Sequence, residues 1–203
     1  MLPHGYEPEA LINGINAGIT AMQTNDGTRR NQDIFWAHFA EIAGERVYAD
    51  RSLFDEFYAI DFQRISSSCG YTPEAKRTVA LCKELGCHVV VATEPIFPLS
   101  AMESRLRWAG VDSADVEYIT SYETSGYCKP DLGFYRELLD RFGVAPDECV
   151  MVGNDVGEDL PAEHLGMKVF LLTDCLINKE NADISQWPHG GYGKLQSFIR
   201  ELD

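Results

Sequence analysis

The sequence predicts an α/β fold, a doubly wound parallel sheet preceded by a helical region, and three observations carry that prediction. Beyond Thr72, short apolar runs alternate with stretches patterned for helices. The runs are rich in Val, Ile and Leu without polar alternation, as expected of parallel strands covered on both faces. Most of the helical stretches then stop at a glycine, the residue that most readily takes the left-handed conformation at a helix end. Alternation of this kind implies right-handed crossovers and parallel pairing.

Residues 1–72 read as helical. Residues 15–23 have helical character, Phe35, Phe39 and Ile42 share one face, and Leu53, Phe54, Phe57 and Tyr58 share another. Thr72-Pro73 supplies an N-cap and a first-turn proline for a helix that runs toward Leu85 and ends at Gly86. Residues 88–92 form the first predicted strand. Ser100-Ala101-Met102-Glu103 has the form of a capping box, opening a helix that ends at Gly110. A second strand is expected over 116–120, then a helix with Phe134, Leu138 and Phe142 on one stripe, stopped by Gly143. The third strand covers 149–152, a short helix runs from Leu160 to Leu165 before Gly166, and the fourth strand is Lys168–Leu172. The sequence carries no internal repeat and no low-complexity tract.

The 203 residues suffice for one well-buried core and a small accessory module. A net charge of −15 argues against non-specific nucleic-acid binding and against anionic membrane surfaces, both of which need clustered Lys or Arg. A small anionic substrate remains compatible with it, because one lysine, backbone N–H groups and a divalent cation reverse the field inside a cleft. The six cysteines, Cys69, Cys82, Cys87, Cys128, Cys149 and Cys175, follow neither zinc-site spacing nor a dense disulfide framework, so reduced thiols are expected. There is no basic leader followed by an apolar run and no stretch of about 20 apolar residues. These features predict a soluble, cytoplasmic protein whose oligomeric state the sequence leaves open.

In a doubly wound sheet the ligand sits beyond the carboxyl ends of the strands, so the polar residues there carry the functional reading. Thr93 follows the first strand, where its hydroxyl and nearby N–H groups suit a phosphate oxygen; taken singly it also reads as a turn residue. Lys129, in Tyr127-Cys128-Lys129-Pro130, can neutralise a transferring phosphoryl group, or can be a solvated surface lysine. Gly153-Asn154-Asp155-Val156-Gly157-Glu158-Asp159 turns from a strand into a helix with a density of oxygen ligands that suits Mg²⁺. The alternative makes Asp155 a turn former and the following acids helix-dipole partners.

Strand–Thr, then Lys-Pro ahead of a helix, then strand–Gly–acidic cluster, in that order, resembles the second, third and fourth motifs of the haloacid dehalogenase-like (HAD) superfamily. The resemblance covers residues 73–173, and the helices ahead of it resemble the α-helical cap of many phosphatases in that superfamily. It implies a Rossmann-type α/β core over 73–203 and a cap over 1–72. Carried over by position, Lys129 and Thr93 become catalytic residues. Thr93, the Glu94 backbone and Lys129 bind phosphate, and Asp155, Asp159 and Asn154 form the metal site for Mg²⁺. The implied reaction is cleavage of a small-molecule phosphate ester through an aspartyl-phosphate.

One part of the pattern is missing. The superfamily's first motif, an apolar strand ending in Asp-x-Asp, is not found in the 203 residues. Asn25-Asp26-Gly27-Thr28 comes nearest, with Thr24 at the nucleophile position and a helical segment ahead of it, and Asp61 fares no better. The expectation is therefore a core without its first strand, with Met1 an internal methionine of a longer product, and a chain inactive as given. A non-catalytic phosphate- or Mg²⁺-binding protein of the same fold is the alternative. A phosphoacceptor receiver domain fits less well, because its acidic pair precedes the Thr and Lys. Dehalogenase chemistry is a minor option.

Overall fold

The structure, a computed structural model, describes residues 5–202. In chain order the regular elements are α1 (Pro8–Gln23), α2 (Asn31–Ala43), α3 (Arg51–Ala59), α4 (Glu74–Glu84), β1 (Val90–Val91), α5 (Leu99–Trp108), β2 (Tyr118–Ile119), α6 (Leu132–Phe142), β3 (Val150–Gly153), α7 (Val156–Asp159), β4 (Lys168–Leu172), β5 (His189–Gly190) and α8 (Tyr192–Arg200). They group into two compact units, one of Met1–Tyr71 with Val90–Cys128 and one of Thr72–Val89 with Lys129–Asp203. All strand pairs are parallel, as the alternating pattern predicts.

In the first unit α1 and α2 pack closely because α1 has no side chains where α2 has two phenylalanine rings. Gly14 faces Phe39 and Gly18 faces Phe35. Leu11, Trp36, Phe39, Ala40 and Val47 form the buried cluster, with Phe35 and Phe54 against it. The aromatic rings meet edge to face, Trp36 and Phe54 at 5.2 Å and Phe39 and Phe54 at 5.4 Å, a geometry that favours the ring quadrupoles. Ile42 departs from the predicted face and is exposed, because α2 ends one residue later at Ala43, with Gly44 as its C-cap.

The same unit holds the two-stranded sheet of β1 and β2, with Val90 opposite Tyr118 and Val91 opposite Ile119. β1 is shorter than predicted and its valines are only half-buried, so the expected double coverage is not met there. The capping box at the start of α5 is not formed either. The N-cap is Pro98, two residues before Ser100, and the first helical N–H, of Leu99, donates at 3.1 Å to each carboxylate oxygen of Glu123, 24 residues away in sequence. A carboxylate there satisfies an orphan donor and meets the positive end of the helix dipole.

In the second unit β4 lies between β3 and β5. Val169, Phe170, Leu171 and Leu172 are all buried, which is the pattern of a strand covered on both sides. Phe170 and Leu172 join Leu81 of α4 and Leu195 and Ile199 of α8 in one apolar cluster. α6 is capped at its start by the Asp131 side chain, which accepts from Gly133 N at 2.6 Å, and closes at Gly143 with φ 63°. The segment 160–165 is a tight 3-10 helix and follows the single turn of α7. β5 and α8 were not predicted: His189–Gly190 has no strand signature, whereas α8 does carry a helical stripe, Tyr192, Leu195, Phe198 and Ile199, that sequence reasoning missed. Among the described residues no helix is long and apolar enough to cross a membrane.

The α1–α2 contact yields the first prediction. A Cβ at Gly14 meets Phe39 Cδ2 at 2.6 Å and the Phe39 carbonyl oxygen at 3.3 Å, and Phe39 is fully buried. Gly14→Ala gains about 1 kcal/mol of helix propensity, yet overpacking of about 1–3 kcal/mol opposes it. Urea denaturation should show net destabilisation; a more stable variant would mean that the two helices separate easily.

Candidate active site

The site assembled in the second unit is centred on Asp159, the last residue of α7. Its carboxylate is buried, with the residue 2% exposed. Oδ1 accepts from Lys129 Nζ at 2.7 Å. Oδ2 accepts from the backbone N–H groups of Asn154 and Asp155, each at 2.9 Å. Three donors converge on one carboxylate, which is what a charge removed from water requires. Gly153 is obligatory beside it, because a Cβ there would lie 2.1 Å from Asp159 Oδ2.

Lys129 is correspondingly sequestered, its side chain 7% exposed against 3% for Asp159. Its ammonium lies 5.9 Å from the centre of the Phe134 ring. The Lys129–Pro130 peptide bond is cis. The solvated-lysine reading of Lys129 therefore falls away: its charge is held inside the fold beside an acid.

The loop after β3 is pinned from a second direction. Val156 N donates to the Ile177 carbonyl at 3.0 Å, and Ile177 N to the Asn154 carbonyl at 2.7 Å. The Asn154 amide donates to the Cys175 carbonyl at 2.9 Å. Asp155 is the N-cap of α7, its Oδ1 accepting from Gly157 N at 2.9 Å and Glu158 N at 3.1 Å. The Tyr135 hydroxyl donates to the Glu158 carbonyl. Burial pushes the Glu158 carboxyl above its usual range, opposed by the Lys129 charge and reinforced by Asp155 and Asp159. Sequence reasoning missed Tyr135, Cys175 and Ile177. Only Tyr135 had a signal, its place beside the Phe134 stripe.

Thr93 and Glu94 belong to the first unit, after β1. The Thr93 carbonyl accepts from the Thr120 hydroxyl at 2.6 Å, and the Glu94 carbonyl from Ile96 N at 3.0 Å. Their backbone is thus fixed by β2 and by a tight turn. Asp26 lies in the exposed turn between α1 and α2, where Oδ1 accepts from Thr28 N at 3.1 Å and the Thr28 hydroxyl at 2.7 Å. The Thr28 hydroxyl is the main cause that lowers its pKa. Thr24 caps the end of α1, so a helix, not a strand, leads into this turn.

The donor chemistry in the second unit suits a hard cation sparingly. Among the described residues no group of three or more His, Cys, Asp or Glu side chains is arranged for a metal. Mg²⁺ needs fewer, since one or two carboxylates with water and phosphate complete its shell. Asp155 Oδ2 and the Asn154 side-chain oxygen are not used by the hydrogen bonds that fix the loop. Both oxygens of Asp159 are.

Comparison with known proteins adds the family. Residues 12–162 match the haloacid dehalogenase-like hydrolases. The glyceraldehyde 3-phosphate phosphatase of Methanothermobacter thermautotrophicus is 37% identical over 71 residues, 34% of this chain and 31% of that protein. The glyceraldehyde 3-phosphate phosphatase of Methanocaldococcus jannaschii is 29% identical over 132 residues, 64% of this chain and 57% of that protein. The matches thus span less than two thirds of either relative. The crystal structure of 2-haloacid dehalogenase from Pseudomonas syringae pv. tomato DC3000 superposes with a TM-score of 0.59 at 16% identity, over 96% of this chain and 81% of that one. At that identity the likeness establishes the fold alone.

The buried pair can be tested by a double-mutant cycle. Removing one partner of a buried ion pair costs about 3–5 kcal/mol. Lys129→Met and Asp159→Asn should each destabilise by that order, while the double variant loses less than their sum by about 0.5–3 kcal/mol. Strict additivity in urea unfolding would mean that the two charges do not support each other.

Proposed function

The chain belongs to the haloacid dehalogenase-like hydrolases, and from that premise we propose that its second unit carries the phosphate- and Mg²⁺-binding machinery of a phosphomonoester phosphatase. The observation that supports this most is the buried Lys129–Asp159 pair at the carboxyl end of β3. A structural lysine has no need of such a position, whereas a phosphoryl group gains most from a charge fixed in a region of low dielectric. The likeness to two glyceraldehyde 3-phosphate phosphatases favours phosphate esters of small carbohydrates over halogenated acids.

In this reading each residue has one task. Lys129 supplies positive charge to the phosphoryl oxygens. Asp159 acts as a positioning residue, holding Lys129 and turning the N–H groups of Asn154 and Asp155 inward. Asp155 and Asn154 would hold Mg²⁺ through their uncommitted oxygens, and the bound ion would offset the charge of the substrate. Glu158 stands beside them as a half-buried acid. For Thr93 and the Glu94 N–H, which belong to the first unit, the phosphate roles remain what the family pattern implies.

Turnover is a separate matter from binding. The family reaction needs a nucleophilic aspartate, and no Asp-x-Asp occurs in the 203 residues. Asp26 is committed to an exposed turn and Asp61 is exposed. This polypeptide is therefore expected to bind phosphate without releasing it from an ester.

Calorimetric titration with inorganic phosphate, with and without Mg²⁺, tests the binding, and release of phosphate from glyceraldehyde 3-phosphate and an aryl phosphate tests the chemistry. The expected result is Mg²⁺-dependent binding that weakens at least about tenfold in Lys129→Met, in line with one lost charge contact, and no turnover above that variant. Asp155→Asn keeps the helix cap and should remove the Mg²⁺ dependence alone. Absence of phosphate binding would overturn the phosphate reading; turnover that Lys129→Met abolishes would instead overturn the inactivity.

A further inference from the structure

Three helices of this protein end in the same way. In α4, α5 and α6 a glycine takes a left-handed conformation, Gly86 at φ 78°, Gly110 at φ 79° and Gly143 at φ 63°. The residue after it donates its N–H back across the end of the helix: Cys87 to the Cys82 carbonyl at 2.9 Å, Val111 to Leu106 at 3.1 Å and Val144 to Leu139 at 3.2 Å. At α4 the bond from Gly86 N to the Lys83 carbonyl, 3.0 Å, completes a Schellman motif.

That motif brings the side chains of its first and last residues together, normally as an apolar contact. At α5 and α6 the pairs are Leu106 with Val111 and Leu139 with Val144. At α4 the same two places hold cysteines. The backbone bond limits their separation: with about 2.4 Å from Cα to its carbonyl oxygen and about 1.46 Å from N to Cα, a 2.9 Å N···O contact keeps the two Cα atoms within about 6.8 Å. Disulfides span about 4.4–6.8 Å between Cα atoms. Both thiols are free in this structure, Cys87 exposed and Cys82 half-buried against the cluster of Leu81, Phe170 and Leu195.

We infer that Cys82 and Cys87 form a reversible thiol–disulfide pair, a modification site that clips the end of α4. The exposed Cys87 thiolate attacks one sulfur of a small-molecule disulfide, forms a mixed disulfide and releases one thiolate. The Cys82 thiolate then attacks the Cys87 sulfur, forming the internal disulfide and releasing the second thiolate. The two protons lost by the cysteines go to the two released thiolates, so one small disulfide is reduced as the pair is oxidised. The order follows from access. Burial, and the nearness of Cys87, raise the Cys82 pKa, which keeps Cys82 protonated and leaves the first attack to the exposed Cys87. The pair is independent of the phosphate reading.

The probe is oxidised glutathione, applied to the folded chain, followed by blocking of remaining thiols, tryptic digestion and mass spectrometry. Trypsin cuts after Lys83, between the two cysteines, so their disulfide joins peptides 78–83 and 84–105, which hold no other cysteine. The expected product is that linked pair, returned to separate peptides by dithiothreitol. Cys82→Ser should trap a stable glutathione adduct on Cys87, and Cys87→Ser should slow reaction at Cys82 more than tenfold. A glutathione adduct that persists on Cys87 in the unchanged protein, or linkage of either residue to another cysteine, would overturn the inference. So would loss of the linked product's preference for the folded state, if guanidinium-unfolded chain gave it equally fast.

Discussion

The carboxylate of Asp159 is the constraint on which the second unit's loop depends. A charge with so little solvent is stable only when its lone pairs are occupied by strong donors, and here an ammonium and two backbone N–H groups occupy them. Several features of the sequence then follow from one requirement. Gly153 must lack a side chain to let the carboxylate in, Asp155 must cap α7 so that the helix starts in register, and Ile177 and Cys175 hold the loop from the far side. The arrangement resembles a keystone: each piece is ordinary, and the geometry fails if the central one is removed.

How much of this was legible depends on where each residue's partner lies. β4 could be read because five consecutive residues carry its signature, and the glycine stops at Gly86, Gly110, Gly143 and Gly166 because a helix end is a local event. The start of α5 was misread because its cap is Glu123, a residue with no sequence relation to the helix it serves. Lys129 and Asp159 stand 30 positions apart. The sequence singled out both through the family pattern, but only the fold reveals that they neutralise each other. β5 was invisible because His189 and Gly190 join the sheet through backbone bonds that any residue can make.

The residues that the resemblance singles out in the loop after β3 differ in how the protein itself uses them. Asp159, to which the resemblance gives a metal, has both oxygens engaged by the protein, while Asp155 combines the capping role of the plain reading with one oxygen to spare. The distinction matters chemically. A metal ligand must offer a free oxygen in place of one of the cation's waters, but a residue that fixes backbone donors acts without ever touching the substrate.

The contact between α1 and α2 has a consequence for inheritance. Gly14 and Gly18 sit one helical turn apart, and each is matched to a phenylalanine ring, Phe39 and Phe35. A ring on one helix and a bare backbone on the other together fill a fixed volume, so neither side can change alone without a clash or a void. Across related chains these positions should therefore vary as exchanges of bulk, a larger residue on α1 accompanied by a smaller one on α2. Lineages that drift at either glycine would carry the trace of the compensating ring.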